Sequence, residues 1–327
     1  MARERPGLMT APPTAAPGPA HPQGRSEAPP SRGESNKENP TVLVTGAGGF
    51  AGRHLVPHLA ARGYRVVAAS RTAVQFNDPN VTTVPLPDLS EPFDWQPLLQ
   101  TCDAVVHLAG IAHKPAEDEL YDRVNHRATA ALARAISVSG AKHLVFVSSI
   151  AAQSGSCADH ELSEDDAPAP VNAYGRSKLA AEHAVRAAGI SFTILRPVVI
   201  YGAGEKGNFA TIHRLARLPI PLPFGAMSAP RSVLSIQNFD SAVETALKNP
   251  RARGGTFIVA DPAPVTVASI IARHRVSLGR SPWLLRMPDR WIKTSLEALG
   301  RGAVWDRIGR PLVAPPKKLL AIGWEPS

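Results

Sequence analysis

Residues 41–52 constrain this chain more than any other stretch. Thr41-Val42-Leu43-Val44-Thr45 is short, β-branched and apolar, the pattern of a strand buried on both faces. It runs directly into Gly46-Ala47-Gly48-Gly49-Phe50-Ala51-Gly52, and a helical pattern follows from Phe50 to Arg62, closed by Gly63. Glycines at this junction let the backbone turn tightly and let a ligand approach the helix N-terminus. The free amides and the dipole there favour an anion, and the ligand such a strand–turn–helix unit holds is a dinucleotide pyrophosphate. A tight turn without a ligand is the bland alternative; the flanking strand–helix–strand context favours the nucleotide.

That context continues. Strand-like runs at Arg65–Ala69, Val81–Val84, Ala104–Leu108, Leu144–Val147 and Phe192–Leu195 alternate with helix-like stretches such as Tyr121–Ser139 and Ala173–Ala188. Strand and helix at this pitch predict an α/β fold with a doubly wound parallel sheet over residues 41–197. Past Pro197 the rhythm degrades into proline-rich loops (Pro219, Pro221, Pro223). Residues 198–327 therefore read as a smaller, irregular and mostly substrate-binding lobe, with some segments returning to the sheet. The first forty residues carry nine prolines and no hydrophobic periodicity. They read as a disordered tail or an over-long start, since Met9 offers a second first residue.

Two further features bear on chemistry. Tyr174-Gly175-Arg176-Ser177-Lys178 places a phenol and an ammonium four residues apart on one face of a helix. A fixed cation, with an oxidised nicotinamide nearby, is expected to draw the phenol pKa down towards neutrality. Ser149 lies 25 residues upstream of Tyr174, at the end of the strand Leu144–Val147, where side chains of a doubly wound sheet face the ligand crevice. The end of the second strand normally carries an acid for the adenosine ribose hydroxyl of NAD. Here Ser70 and Arg71 stand there, and a guanidinium suits a ribose phosphate. This favours NADP over NAD; the alternative is an Arg71 that is merely solvated.

With these residues in view, the chain from Thr41 to Pro326 resembles the extended short-chain dehydrogenase/reductases, the NAD-dependent epimerase/dehydratase group acting on nucleotide sugars. The resemblance rests on the glycine turn, Asp88-Leu89, His107-Leu108-Ala109-Gly110, Asn125, Ser148-Ser149, Tyr174 with Lys178, and Leu195-Arg196-Pro197 through Tyr201-Gly202. Gly46, Gly48 and Ala51 fit the general dehydrogenase spacing. Gly46, Gly49 and Gly52, after Thr45, fit the short-chain version better. The resemblance implies a Rossmann domain in which Gly46, Gly49, Phe50, Gly52, Ser70 and Arg71 hold the cofactor. Asp88 and Leu89 would lie by the adenine, with Ala109 and Gly110 along the cofactor. Asn125 would brace the site, and Pro197 and Val199 would border the nicotinamide. Ser149, Tyr174 and Lys178 would be catalytic, with Tyr174 and Lys178 also touching cofactor. Asn208 and Arg231 would join Ser149 on the substrate, Arg231 at a phosphate oxygen.

Departures from the family pattern narrow the chemistry. The 4,6-dehydratases carry an Asp-Glu pair after the catalytic hydroxyl; here Ile150-Ala151 follow Ser149, which speaks against elimination of water. The usual Val-Tyr-Gly is also replaced, around Ala152-Gln153-Ser154-Gly155. A 4-ketoreductase and a 4-epimerase remain. The Ser70-Arg71 pair favours the reductase, and the stretch Tyr201–Leu234 most resembles reductases of UDP-4-keto-6-deoxy-N-acetylhexosamine, which implies a role in surface polysaccharide synthesis. A UDP-sugar 4-epimerase that retains NAD is the alternative, and a non-catalytic dinucleotide sensor, which would normally lose Tyr174 and Lys178, the second.

Composition excludes other classes. No apolar run is long enough to span a membrane, and Cys102 with Cys157 make neither a disulfide scaffold nor a metal spacing. The eleven histidines show no metal pattern either, so no metal is expected. A cytoplasmic setting fits best. The formal charge of +9 concentrates late: Arg273 to Lys318 holds eleven Lys/Arg against three acids. No aromatic-interleaved basic motif accompanies it, so nucleic acid is not an expected partner. Trp283, Trp291 and Trp305 among these arginines suit either lobe packing, the ordinary expectation, or an anionic membrane surface. Family resemblance alone suggests a homodimer through Tyr121–Ser139 and Ala173–Ala188.

Overall fold

A computed structural model describes residues 39–112, 116–204 and 208–327; the proline-rich tail, up to residue 38, lies outside the described residues. Among the described residues there are nine strands: β1 (Thr41–Thr45), β2 (Arg65–Ser70), β3 (Val81–Pro85), β4 (Ala104–His107), β5 (His143–Val147), β6 (Phe192–Pro197), β7 (Val199–Tyr201), β8 (Val233–Ser235) and β9 (Thr256–Val259). Seven form one parallel sheet in the order β3-β2-β1-β4-β5-β6-β9, and β7 pairs with β8. This is the doubly wound fold the sequence predicts, with strand boundaries displaced by at most two residues.

The strands are apolar at consecutive positions because both faces are covered. Val42, Val44, Val106 and Val145 pack into one core with Leu55 and Leu59 of helix α1 (Phe50–Ala61). The intervening Leu43, Val105, Leu144 and Phe146 face the opposite core, among Leu132, Ile136, Ala181 and Val185. Short α2 (Gln96–Leu99) joins that second face. The next helical stretch is continuous but not uniform. A turn of α-helix, α3 (Asp118–Tyr121), passes into a π-helical segment, Asp122–Arg127, and then into α4 (Ala128–Ser137). The stretch starts three residues before the expected Tyr121. A 3.6-residue periodicity cannot foresee the π segment, whose ladder skips one residue.

After α5 (Ala173–Ala187) come α6 (Asn208–Ala216), α7 (Ile236–Lys248), α8 (Val267–Ser277), α9 (Asp289–Ala298), α10 (Gly302–Ile308) and α11 (Lys317–Ala321). Phe239 and Val243 of α7, Phe257 and Ile258 of β9 and Leu319 of α11 return to the α1 side of the main core. By contrast, α6, α8, α9 and α10 build a small core of their own around Ile212, Ala216, Ile271 and Ile292. Strand order reverses between β1 and β4, and the crevice beyond their C-terminal ends is where ligands of such sheets bind.

Candidate active site

Beyond β1 the chain turns on Gly46, whose φ of +75° is left-handed. A Cβ there would sit 2.8 Å from the Ala109 amide nitrogen, so only glycine allows the turn to press against the end of β4. Gly52 is as constrained: its Cβ would lie 2.5 Å from the Gly46 carbonyl oxygen. The turn is fastened by the Gly49 amide donating to Gly46 O (2.9 Å) and by Ala47 N donating to Ala69 O of β2 (3.1 Å). Helix α1 starts on Gly49 with no side-chain cap and no acid in its first turn. Its leading amides are thus left to an anion. The donor set and the space that glycines keep clear fit a dinucleotide pyrophosphate.

The neighbouring strand ends converge on this turn. A Cβ on Gly48 would come within 3.3 Å of Ser70, which is buried at the end of β2. Arg71 is exposed beside it. Asp88 lies past β3, its carboxylate held below the usual range by hydrogen bonds from Ser90, then by the charges of Arg71 and Arg123. Leu89 is buried in the core next to it. Behind the turn, His107 is fully buried with its ring bonded to Thr45 Oγ1 (2.7 Å) and Thr129 Oγ1 (3.1 Å). Ala109 N donates to the same Thr45 oxygen (3.3 Å). Burial, then the Lys178 charge, lowers the His107 pKa to about 3, so it serves as a neutral strut between β1, β4 and α4.

Asn125 occupies the π segment. Its amide clamps residue 111 in both directions: Ile111 N donates to Oδ1 (2.8 Å) and Nδ2 donates to Ile111 O (3.0 Å). Nδ2 also donates to Ser177 Oγ (3.1 Å), and Ser177 Oγ donates to Tyr174 O (2.8 Å). The π segment thereby ties the loop that follows β4 to the helix that carries Tyr174. Gly110 must lack a side chain, since its Cβ would lie 2.8 Å from Asn125 Oδ1.

Tyr174, near the start of α5, lies beside Ser149, and Lys178 follows one turn later on the same helix. Ser149 caps a short 3-10 turn, its Oγ accepting from Ala151 N (3.1 Å). Tyr174 hydrogen-bonds Ser149. Gly175 permits this approach, because a Cβ there would stand 2.2 Å from the Ala151 carbonyl oxygen. Burial raises the phenol pKa; the Ser149 bond opposes this and Tyr121, whose ring centroid is 6.0 Å away, adds to it. The Lys178 ammonium donates to Val147 O (2.8 Å) and lies over the Phe146 ring at 4.7 Å. Burial lowers its pKa to about 8, against the pull of Glu182.

Glu182, one turn after Lys178, is a residue the sequence reading passed over. It is fully buried and bonded by Ser148 Oγ (2.6 Å) and by Arg196 Nε and Nη2 (2.9 and 2.6 Å). Burial raises its pKa, but the Arg196 bonds and charge outweigh this and hold it low. Arg196 Nη1 also donates to the Gln153 side-chain oxygen Oε1, and Gln153 Nε2 donates to Ser163 O (3.1 Å) and Asp166 O (2.8 Å). Gln153 stands where the family's Val-Tyr-Gly is missing, and that departure was the available signal. The network clamps both ends of the serine loop to α5 and β6.

The remaining expected residues lie farther along. Pro197 ends β6, buried, and Val199 is exposed in β7. Asn208 starts α6, and its side chain lies outside the described residues, as does Gly207. Arg231 is buried, its guanidinium donating to the carbonyls of Arg310 (2.5 Å), Ser156 (3.0 Å) and Asp306 (3.5 Å), and burial lowers its pKa to about 10. In this arrangement it joins the loop after Ser149 to the C-terminal segment. No helix among the described residues is long and apolar enough to cross a membrane. Those residues also bring no three His, Cys, Asp or Glu side chains together as a metal site.

Comparison with known proteins agrees with this geometry. The profile of the NAD dependent epimerase/dehydratase family matches residues 42–260. A UDP-glucose 4-epimerase of Vibrio cholerae is 32% identical over 301 residues, 88% of this chain and 90% of that one. A ceramide reductase of Caulobacter vibrioides is 30% identical over 88% of this chain and 86% of its own length. Among solved structures, the UDP-glucuronic acid 4-epimerase of Bacillus cereus in complex with NAD superposes with a TM-score of 0.70, at 20% identity and 88% and 94% coverage, which speaks for the fold. A glycine cradle at the sheet's switch point, a Ser149–Tyr174–Lys178 centre beside it and a profile match over most of the chain lead to one statement: this protein is a member of the NAD dependent epimerase/dehydratase family.

Proposed function

We propose that the protein is a 4-ketoreductase of a nucleotide sugar, reducing a UDP-4-keto-6-deoxy-N-acetylhexosamine with a preference for NADPH. The observation that carries the reading is the Tyr174 hydroxyl, hydrogen-bonded to Ser149 with a pKa raised by burial. A phenol kept protonated at neutral pH is the state that gives a proton to a carbonyl oxygen. Ser149 donates a second hydrogen bond to that oxygen and fixes its position. Lys178, tethered to Val147 and one turn from Tyr174, keeps a cation beside the developing charge. Asn125 and Gly175 set the spacing of these groups.

The bound cofactor supplies the hydride, and Gly46, Gly49, Phe50, Gly52, Ala109 and Gly110 are the residues that would hold it. Two guanidinia, of Arg71 and Arg123, lie within electrostatic reach of Asp88 at the adenine end. The Arg123 Nε is buried without a hydrogen-bond partner. Positive charge collected there supports a ribose phosphate, and so NADPH. Ile150-Ala151 after Ser149 offer no carboxylate for dehydration. Residues 198–327, apart from α7, β9 and α11, are proposed as the substrate lobe, with Asn208 and Arg231 towards the nucleotide; a phosphate at Arg231 requires that its present carbonyl partners be exchanged.

A second reading, a UDP-sugar 4-epimerase, is favoured by the Vibrio cholerae relative. The two separate on absorbance at 340 nm. Purified protein given UDP-4-keto-6-deoxy-N-acetylglucosamine should oxidise NADPH faster than NADH. No oxidation, from protein that carries NAD and interconverts UDP-sugars unaided, would replace the reductase with the epimerase.

A further inference from the structure

The small lobe built by α6, α8 and α9 carries an unusual surface, organised around Arg275. Its side chain is buried, and the guanidinium donates to the carbonyls of Ala216 (3.2 Å), Leu218 (2.8 Å), Ile220 (2.6 Å), Pro282 (3.2 Å) and Trp283 (3.2 Å). One buried arginine thus gathers the loop after α6, the end of α8 and the segment before α9. Leu222 N donates to Trp283 O (3.2 Å) and Leu285 N to Leu222 O (2.9 Å), which lock the two loops side by side.

The side chains these loops present are not polar. Leu218, Ile220, Val276, Leu278, Trp283 and Leu285 are each 39–59% exposed. Half of the large hydrophobic residues exposed among the described residues therefore cluster at the Arg275 junction. Trp283 also adopts a φ of +43°, which a bulky residue avoids unless its surroundings impose it. A cluster of this kind marks an interaction site, whereas scattered exposed apolar residues are ordinary.

Charge identifies the partner. Residues 211–222 and 273–293 contain eight Lys/Arg and one acid, Asp289, and all the basic residues but Arg275 are exposed. Arg217, Arg280, Arg286 and Arg290 border the apolar cluster in sequence, and Arg280 Nη1 is fastened to the Arg217 carbonyl. Trp291, on the first turn of α9, is exposed next to Arg290. Exposed Trp, Leu and Ile rimmed by arginine is the chemistry of an anionic lipid interface: the rings and aliphatic chains enter the headgroup boundary and the guanidinia pair with lipid phosphates. The lobe packing expected from the sequence holds for Trp305, which lies against the small core, but not for Trp283 and Trp291.

We propose that this face of the small lobe docks the protein onto anionic membrane surfaces. The proposal is independent of the reaction assigned above. The test is co-sedimentation of the full-length protein with vesicles of phosphatidylcholine, with and without phosphatidylglycerol, at low and high salt. The expected result is binding that needs phosphatidylglycerol, weakens with salt and shifts tryptophan emission to shorter wavelength. An R286E/R290E variant should lose about tenfold or more in affinity, since each basic residue near the surface contributes about 1 kcal/mol. A W283S/L285S variant should lose the emission shift while keeping its circular dichroism and cofactor binding. Failure to sediment with either vesicle overturns the proposal. So does binding equal in both variants, or a dimer in gel filtration that W283S/L285S converts to monomer, which would assign the face to a second copy of the chain.

Discussion

Asp240 gives the account a quantitative handle outside the active site. It lies on α7 with 6% of its surface exposed, and its Oδ1 has no hydrogen-bond partner. Burial alone raises its pKa from 3.8 to about 7. Glu244, one turn further along the same helix, is also partly buried, yet bonds from Lys248 and His58 hold its pKa low. For Asp240 the native state binds a proton that the unfolded state has released between pH 3.8 and about 7, so stability falls as pH rises through that window. The full contribution is about 4 kcal/mol, of which about 2 kcal/mol is lost between about pH 5.5 and about pH 8. Asp240→Asn removes the titration. An amide left without partners costs the same at both pH values and cancels from the comparison. Urea denaturation of both proteins should therefore show the variant gaining about 2 kcal/mol on the natural chain as pH rises from about 5.5 to about 8. A stability difference that does not change with pH would refute the reasoning.

Three other substitutions probe the site. Gly46→Ala puts a methyl group against Ala109 N in a left-handed backbone; a cost of about 1–2 kcal/mol predicts a roughly 5- to 30-fold rise in dinucleotide Kd by calorimetry. Gly175→Ala pushes the serine loop away from α5, so kcat should fall about 100-fold while dinucleotide Kd stays unchanged. Glu182→Gln leaves the Arg196 charge buried without its counter-ion, and urea denaturation should show a loss of about 3–5 kcal/mol.

The sheet was legible because its strands are contiguous apolar runs separated by helical periodicity, and the glycine turn and Tyr174/Lys178 because their function fixes a local spacing. What the sequence did not disclose depends on partners far along the chain. Asn125 is aimed by a π segment that periodicity averages away. Glu182 and Gln153 read as an ordinary helix and loop until β6 brings Arg196 between them. Arg231 is expected from the resemblance at a phosphate oxygen, and only the fold brings it to the carbonyls of Ser156 and Arg310.

The central claim, that Tyr174 is the proton donor of a carbonyl reduction, is tested most directly by Tyr174→Phe. With cofactor affinity measured alongside, the account predicts a fall in kcat of about 10²–10⁴, far larger than any change in dinucleotide Kd. Near-normal turnover in the variant would contradict it.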